Sequence, residues 1–206
     1  MTPAAKPAPQ ADVAPSLFSN AQAFEDWLKK HHASSNGLWL KIAKRGAAEP
    51  SVSYAEAVDI ALCWGWIDGQ KKGLDDQYFL QRFTPRRPRS VWSKINVEKA
   101  QALIDAGRMQ VPGHAQITAA KADGRWARAY DGARTATVPD DLQAALDAQP
   151  EAKAFFATLN AANRYAVLWR IQTAAKADTR ARRIAQLVAM LARGEAVHKT
   201  GSDASA

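Results

Sequence analysis

Apolar positions fall first at helical spacing, then at strand spacing, then at helical spacing again. Phe24, Trp27 and Leu28 share one face of a helix predicted over residues 20–31, with Ser19 as its N-cap. His31 and His32 fall in its last turn, where a cation suits the helix dipole. Residues 34–37, Ser-Ser-Asn-Gly, mark a turn. Over residues 38–44 the period becomes two. Leu38, Leu40 and Ile42 face one way and Trp39, Lys41 and Ala43 the other, which predicts a half-buried strand. Ser53, with Glu56 three residues on, reads as a capping box that opens a helix to about Trp64; Gly65 stops it. Residues 66–72 and 77–84 read as two more strands around a turn at 73–76. In the second, Tyr78, Leu80 and Arg82 alternate with Phe79, Gln81 and Phe83.

The helical period returns at Ser93 or Asn96, with Val97, Ala100, Leu103 and Ile104 on one face and a stop at Gly107. Pro112 suits the first turn of a helix over residues 113–122. Further helices are expected at 140–148, 151–159 and 163–175. A last one, capped by Thr179, runs to Arg193 with Ile184, Leu187, Val188 and Leu191 inward. The pattern predicts an α+β fold: a small antiparallel sheet of about three strands packed with helices, followed by an all-helical C-terminal region. The expected layout is a disordered tail at 1–16, an α+β domain at 17–132, a helical domain at 138–195 and a loose tail at 196–206.

The distribution of charge is more informative than overall composition. The 206 residues carry a net charge of +8. Residues 71–109 hold nine Lys or Arg against four Asp or Glu, and residues 164–199 hold eight against two; the rest is close to neutral. Clustered positive charge points to an anionic partner such as nucleic acid or a phosphorylated metabolite, or else to a solvated basic surface. No run approaches the roughly 18–20 apolar residues of a membrane span. The Ala- and Pro-rich first fifteen residues lack the apolar stretch of a secretory signal, so a cytoplasmic location is expected. Cys63 is the single cysteine, which excludes an intrachain disulfide, and its apolar surroundings favour a buried thiol over a nucleophile.

No metal or nucleotide signature is present: no His-Glu-x-x-His, Cys-x-x-Cys, Gly-x-Gly-x-x-Gly or Walker loop, and no Gly-x-Ser-x-Gly. Neither a metal nor a cofactor is therefore expected. The densest candidate chemistry lies in residues 64–96. Asp68 sits among Trp64, Trp66 and Ile67, where a carboxylate is either paired with an Arg or raised in pKa. It either buttresses the cations or serves as a general acid or base. The Thr84-Pro85-Arg86-Arg87-Pro88-Arg89-Ser90 loop is stiffened by two prolines, and a rigid cationic loop loses little freedom on binding an anion. Trp92, Ser93, Lys94 and Asn96 follow at once. The candidate ligand site is thus Trp66, Asp68, Arg82, Thr84, Arg86, Arg87, Arg89, Trp92, Ser93, Lys94 and Asn96. Trp66 and Trp92 would be its stacking platforms. Arg180, Arg182 and Arg183, cations early in a helix where they oppose its dipole, form a possible second basic site.

These motifs resemble a known family. Ser53-Tyr54, Glu56-Ala57, Leu62-Cys63, residues 65–69 (Gly-Trp-Ile-Asp-Gly), residues 82–86 (Arg-Phe-Thr-Pro-Arg), Ser90-x-Trp92-Ser93 and Asn96 are similar to the YdeI/OmpD-associated, or bacteriocin-protection, family. Gly107-Arg108-Met109, residues 123–126 (Asp-Gly-Arg-Trp) and Lys176-x-x-Thr179-Arg180-x-Arg182-Arg183-Ile184 extend the resemblance to most of residues 24–195. It implies an association with bacteriocin protection and with resistance to cationic antimicrobial peptides, and brings no established catalytic chemistry. Some members are described as periplasmic, and this chain departs from them in lacking an export signal. The expected function is that of a non-catalytic, stress-associated protein binding an anionic ligand, nucleic acid or a phosphorylated small molecule. Two alternatives stay open: an enzyme using Asp68 as general acid or base with the Arg cluster as stabiliser, and partner binding through the basic C-terminal helix.

Overall fold

The computed structural model describes residues 14–198. The tails expected at 1–16 and 196–206 therefore lie largely outside the described residues. The chain divides into two compact units. One comprises the described residues up to Ser90 together with Lys99–Ala120; the other comprises Val91–Glu98 and the described residues from Lys121 onward.

In the first unit, strands β1 (Ser16–Leu17), β2 (Leu38–Ala43), β3 (Trp66–Gly73) and β4 (Tyr78–Pro85) form a sheet in the order β1-β2-β4-β3. Three of them are antiparallel as the alternation predicts, but β1 joins β2 in parallel, so the sheet is mixed and has four strands. The expectation of a tail reaching Ser16 is corrected here. A two-residue strand carries no readable period; pairing with β2 and the 2.9 Å hydrogen bond from Val52 N to Phe18 O hold that segment in place.

Helices α1 (Ala21–His31) and α2 (Tyr54–Cys63) cover one face of the sheet. Phe24 of α1 lies 5.7 Å from Phe83, and Trp27 meets Trp66 edge-on at 5.8 Å. Leu38, Leu40, Ile42, Phe83 and Trp66 all point to this side and are buried. Asn20, not Ser19, caps α1: its Oδ1 accepts from Ala23 N at 2.9 Å. The capping box of α2 forms as expected, with Glu56 N donating to Ser53 Oγ and Ser53 N donating to Glu56. Gly65, at φ +72°, ends that helix in the left-handed region.

The β3–β4 pairing slips between Asp68 and Lys71, and Gln81 stabilises the bulge. Its buried side-chain amide donates to Gly69 O at 2.8 Å and to Gln70 O at 3.3 Å, satisfying carbonyls that the irregular pairing leaves over. At the hairpin tip, Asp75 Oδ1 accepts from Gln77 N and Tyr78 N, which makes Asp75 a turn residue.

Helices α3 (Lys94–Asp105) and α4 (Val111–Ala122) follow the sheet, and α5 (Asp140–Asp147), α6 (Pro150–Thr158), α7 (Ala161–Gln172) and α8 (Ala177–Ala192) complete the chain. The second unit builds its core from the last four, around Leu142, Leu146, Phe156, Val167, Leu168, Ile171 and Leu191. Ser93 supplies the cap of α3, its Oγ accepting from Asn96 N at 3.2 Å. The expected Thr179 cap is absent: α8 starts at Ala177, preceded by Lys176 with no side-chain cap, and Asp178 in the first turn offsets the dipole.

Candidate functional site

Strand alternation sends a second set of side chains to the sheet face opposite α1 and α2. Trp39, Lys41 and Ala43 of β2 alternate with buried Leu38, Leu40 and Ile42. The register pairs Trp39 with Arg82 and Lys41 with Leu80, and places Lys72 opposite Leu80. Trp39, Lys41, Leu80, Arg82 and Lys72 therefore share one face, each half-buried except exposed Lys72. The Lys72 Nζ lies 4.5 Å from the centroid of the Trp39 ring, and the Arg82 guanidinium carbon lies 5.8 Å from it. Lys41 Nζ stands 3.8 Å over the ring of Tyr78, whose hydroxyl donates to Glu49 O. Two close approaches position Arg82. Its Cβ faces Gly69, and its guanidinium runs beside Gly37, where a Cβ would come within 2.9 Å of it. Gly37 adopts φ +129°, which favours glycine for a second reason. Two cations thus flank one indole, and a third stands over the Tyr78 ring on the same regular strand surface.

The residues singled out from the sequence divide between the two units. Trp66 is 1 % exposed and its indole N–H donates to His32 O at 3.2 Å. Trp92 is 2 % exposed and packs at 4.9 Å on Trp126. Both are core residues, which corrects their expected role as stacking platforms: a buried indole has no free face to stack on. Arg86 is likewise buried. Thr84 lies opposite Ile67, two residues beyond Arg82 on the same face. Arg87 and Arg89 are exposed on a turn in which Arg87 N donates to Ser90 Oγ and Ser90 N to Arg87 O. In the second unit, Lys94 pairs with Asp131 at 2.7 Å, and Ser93 and Asn96 form the helix cap already described.

Asp68 accepts a 2.6 Å hydrogen bond from the Tyr54 hydroxyl, which joins β3 to the first turn of α2. Burial, with that hydrogen bond and the nearby carboxylate charge, holds the Tyr54 phenol well above its ordinary pKa. The hydroxyl therefore stays protonated and remains a donor. Cys63 is buried, and desolvation pushes its thiol up to about 11, which leaves it a poor nucleophile at neutral pH.

The second basic cluster is largely engaged. Arg180 forms a two-pronged pair with Asp141, at 2.6 and 2.8 Å, and donates to Ile171 O. Arg183 donates to Arg170 O. Arg182 is exposed. The charge at the start of α8 is thus offset by a carboxylate of α5, and two of its three cations tie helices together. No cluster of three or more His, Cys, Asp or Glu suited to a metal occurs among the described residues. No helix among them is long and apolar enough to cross a membrane.

Trp39, Lys41 and Lys72 stand outside the candidate set read from the sequence. Their signal was the strand period itself, which put Trp39 and Lys41 on the side away from the core. The density of tryptophans in residues 64–92 is equally the mark of a core, and Trp66 and Trp92 are buried there.

Two family models match the chain. A domain of unknown function (DUF8412) covers residues 16–116. The model described as bacteriocin-protection, YdeI or OmpD-associated covers residues 135–194. No curated protein and no solved structure matches. The motifs at residues 65–69 and 82–86 fall within the first match, and the Lys176 to Ile184 run falls within the second. Over its helical region, residues 135–194, the chain is thus similar to the bacteriocin-protection, YdeI or OmpD-associated family.

Proposed function

We propose that this is a non-catalytic binding protein whose first unit takes single-stranded nucleic acid on the open face of its sheet, in the cytoplasm. The observation that carries this reading is Trp39, half-buried on a regular strand, with Lys72 and Arg82 at its ring and Lys41 on the same face. A base stacks on an indole whatever its identity, while the phosphates beside it meet cations; this pairing of platform and charge suits single strands. A duplex hides its base faces and leaves the indole without a role. The engagement of Asp68 by the Tyr54 hydroxyl favours a strut between β3 and α2 over a general acid or base, and so favours binding over catalysis. The pairing of Arg180 with Asp141 likewise favours the sheet over the start of α8 as the anion site. The family description attached to residues 135–194 supplies a protective context for such binding.

The test is fluorescence anisotropy of a labelled single-stranded oligonucleotide against the full chain over a salt series. With three phosphates neutralised, log affinity falls against log salt with a slope of about −2. Trp39→Ala lowers affinity by roughly tenfold or more, the loss expected from one stacked base at about 1–3 kcal/mol. Lys72→Gln lowers both the affinity and the slope. Absence of binding at low salt, or a Trp39→Ala variant that binds as tightly as the parent, overturns the reading.

A further inference from the structure

Helix α7 carries two ridges that border a groove of about 360 Å³ in the second unit. Ala162, Ala166 and Arg170 form one ridge, at intervals of four; Tyr165 and Trp169 form the other, one position off. Tyr130 stands edge-on to Trp169, with ring centres 6.2 Å apart at 84°, so the two rings make an aromatic corner. Trp169 is 37 % exposed, an unusual state for a tryptophan next to a packed helical core. The small side chains of Ala162 and Ala166 leave the space that the aromatic walls enclose. His198 lines the far end. Its backbone is clasped by Asn163, which donates to His198 O at 3.2 Å and accepts from His198 N at 2.7 Å. Asn163 is buried, so this clasp fixes the wall.

The charge of the groove has one sign. Arg170 contributes a permanent cation and His198 an imidazole, and no carboxylate is among the lining side chains. The nearest acid in sequence to Tyr130, Asp131, gives its carboxylate to Lys94 and its backbone oxygen to Tyr165. Arg170 uses one nitrogen on Ala166 O, within its own helix. Aromatic faces alone attract a quaternary ammonium, but the fixed positive charge of Arg170 beside this corner, with no acid in the lining, turns the preference to a flat anion. We infer that this groove is a binding site for a small planar aromatic carboxylate, with its ring against Trp169 and Tyr130 and its carboxylate on Arg170. The volume lies in the range of small-molecule sites.

The site is separate from the sheet face in residues and in chemistry, so its test is independent. Naphthoate is titrated into the isotope-labelled full chain and followed by amide resonances, with naphthamide as the uncharged comparison and naphthylmethylammonium as the cationic one. The expected result is a shift of amides in residues 162–170 and at His198, with naphthoate at least about tenfold tighter than either comparison, a margin of about 1.4 kcal/mol. Ala162→Leu, at an exposed position on a helix, fills the groove and abolishes binding while the far-ultraviolet circular dichroism stays unchanged. Arg170→Gln brings naphthoate and naphthamide to within about threefold, as expected when a charge-assisted bond is lost. Equal binding of the three probes, preference for the ammonium, no shift at these amides, or undiminished binding by Ala162→Leu overturns the inference.

Discussion

Gly113 and Gly65 show how much a single missing Cβ decides. A Cβ on Gly113 would lie 2.4 Å from Cys63 O and 2.8 Å from Leu62 O, and one on Gly65 would lie 2.8 Å from Pro112 O. The start of α4 and the end of α2 thus approach backbone to backbone, helped by the 3.2 Å bond from Gln110 N to Cys63 O. Gly113→Ala gains helix propensity but must push the two helices apart. A net destabilisation of roughly 1–3 kcal/mol is expected, in the range of overpacked cores. Gly73→Ala, where a Cβ meets open space, should fall within about 0.5 kcal/mol of the parent. Urea denaturation midpoints of the two variants check the contrast. The sequence marked Gly65 as a helix stop and said nothing of Gly113, because the close approach joins two helices nearly fifty residues apart. Cys63 was legible: its apolar neighbours predicted a buried thiol, and native protein should resist alkylation at mildly alkaline pH and react once unfolded.

Among the elements, α2 is the one whose start the sequence states most directly. Ser53 and Glu56 satisfy each other's backbone amides, and the Glu56 carboxyl is held below its ordinary pKa, first by its side-chain bond with Ser53 and then by its bond to the Ser53 backbone. Ser53→Ala should destabilise the first unit by about 1 kcal/mol. A Glu56→Gln change on top of it should add less than it costs alone, because the two groups act as one cap. A double-mutant cycle from thermal or urea unfolding measures this. The cap of α1 was misplaced by one residue, Asn20 for Ser19, since both types cap and only the local backbone chooses. The cap of α8 had no such reciprocal partner, and the helix instead begins two residues ahead of Thr179. Strand β1 was illegible for a plainer reason: two residues have no period.

At the scale of the whole molecule, charge ties the helical unit together as well as giving the chain its sign. Asp141 is held below its ordinary pKa mainly by its side-chain hydrogen bond with Arg180, and Arg180 is raised in turn by Asp141. A carboxylate whose pKa is lower in the folded than in the unfolded chain stabilises the fold above the unfolded value. That value is about 4 for Asp, and the contribution is lost as pH falls through the lower, folded value. Asp141→Asn should therefore reduce stability at neutral pH, by up to about 1 kcal/mol for a partly exposed pair. The difference from the parent should vanish in strong acid. Unfolding midpoints at neutral pH and well below pH 4 test this; a difference that persists unchanged in acid would contradict it. The net charge of +8 announced cations in number but not their uses. Contacts from residues distant in sequence assigned Arg180 and Arg183 to helix packing and gathered Arg82 with Trp39.

Legible in the chain alone are the α+β class, the strand period that sets Trp39 and Lys41 opposite Leu38, Leu40 and Ile42, the capping box of α2, and the resemblance of residues 135–194 to a known family. Each rests on residues close in sequence or on a motif that needs no distant partner. The burial of Trp66 and Trp92, the bond from Tyr54 to Asp68, the meeting of Lys72 and Arg82 at one indole and the aromatic groove beside α7 all come from the packing of distant segments. Burial and cross-strand register depend on which distant segments meet, and a linear pattern gives a side chain its face without naming what lies opposite.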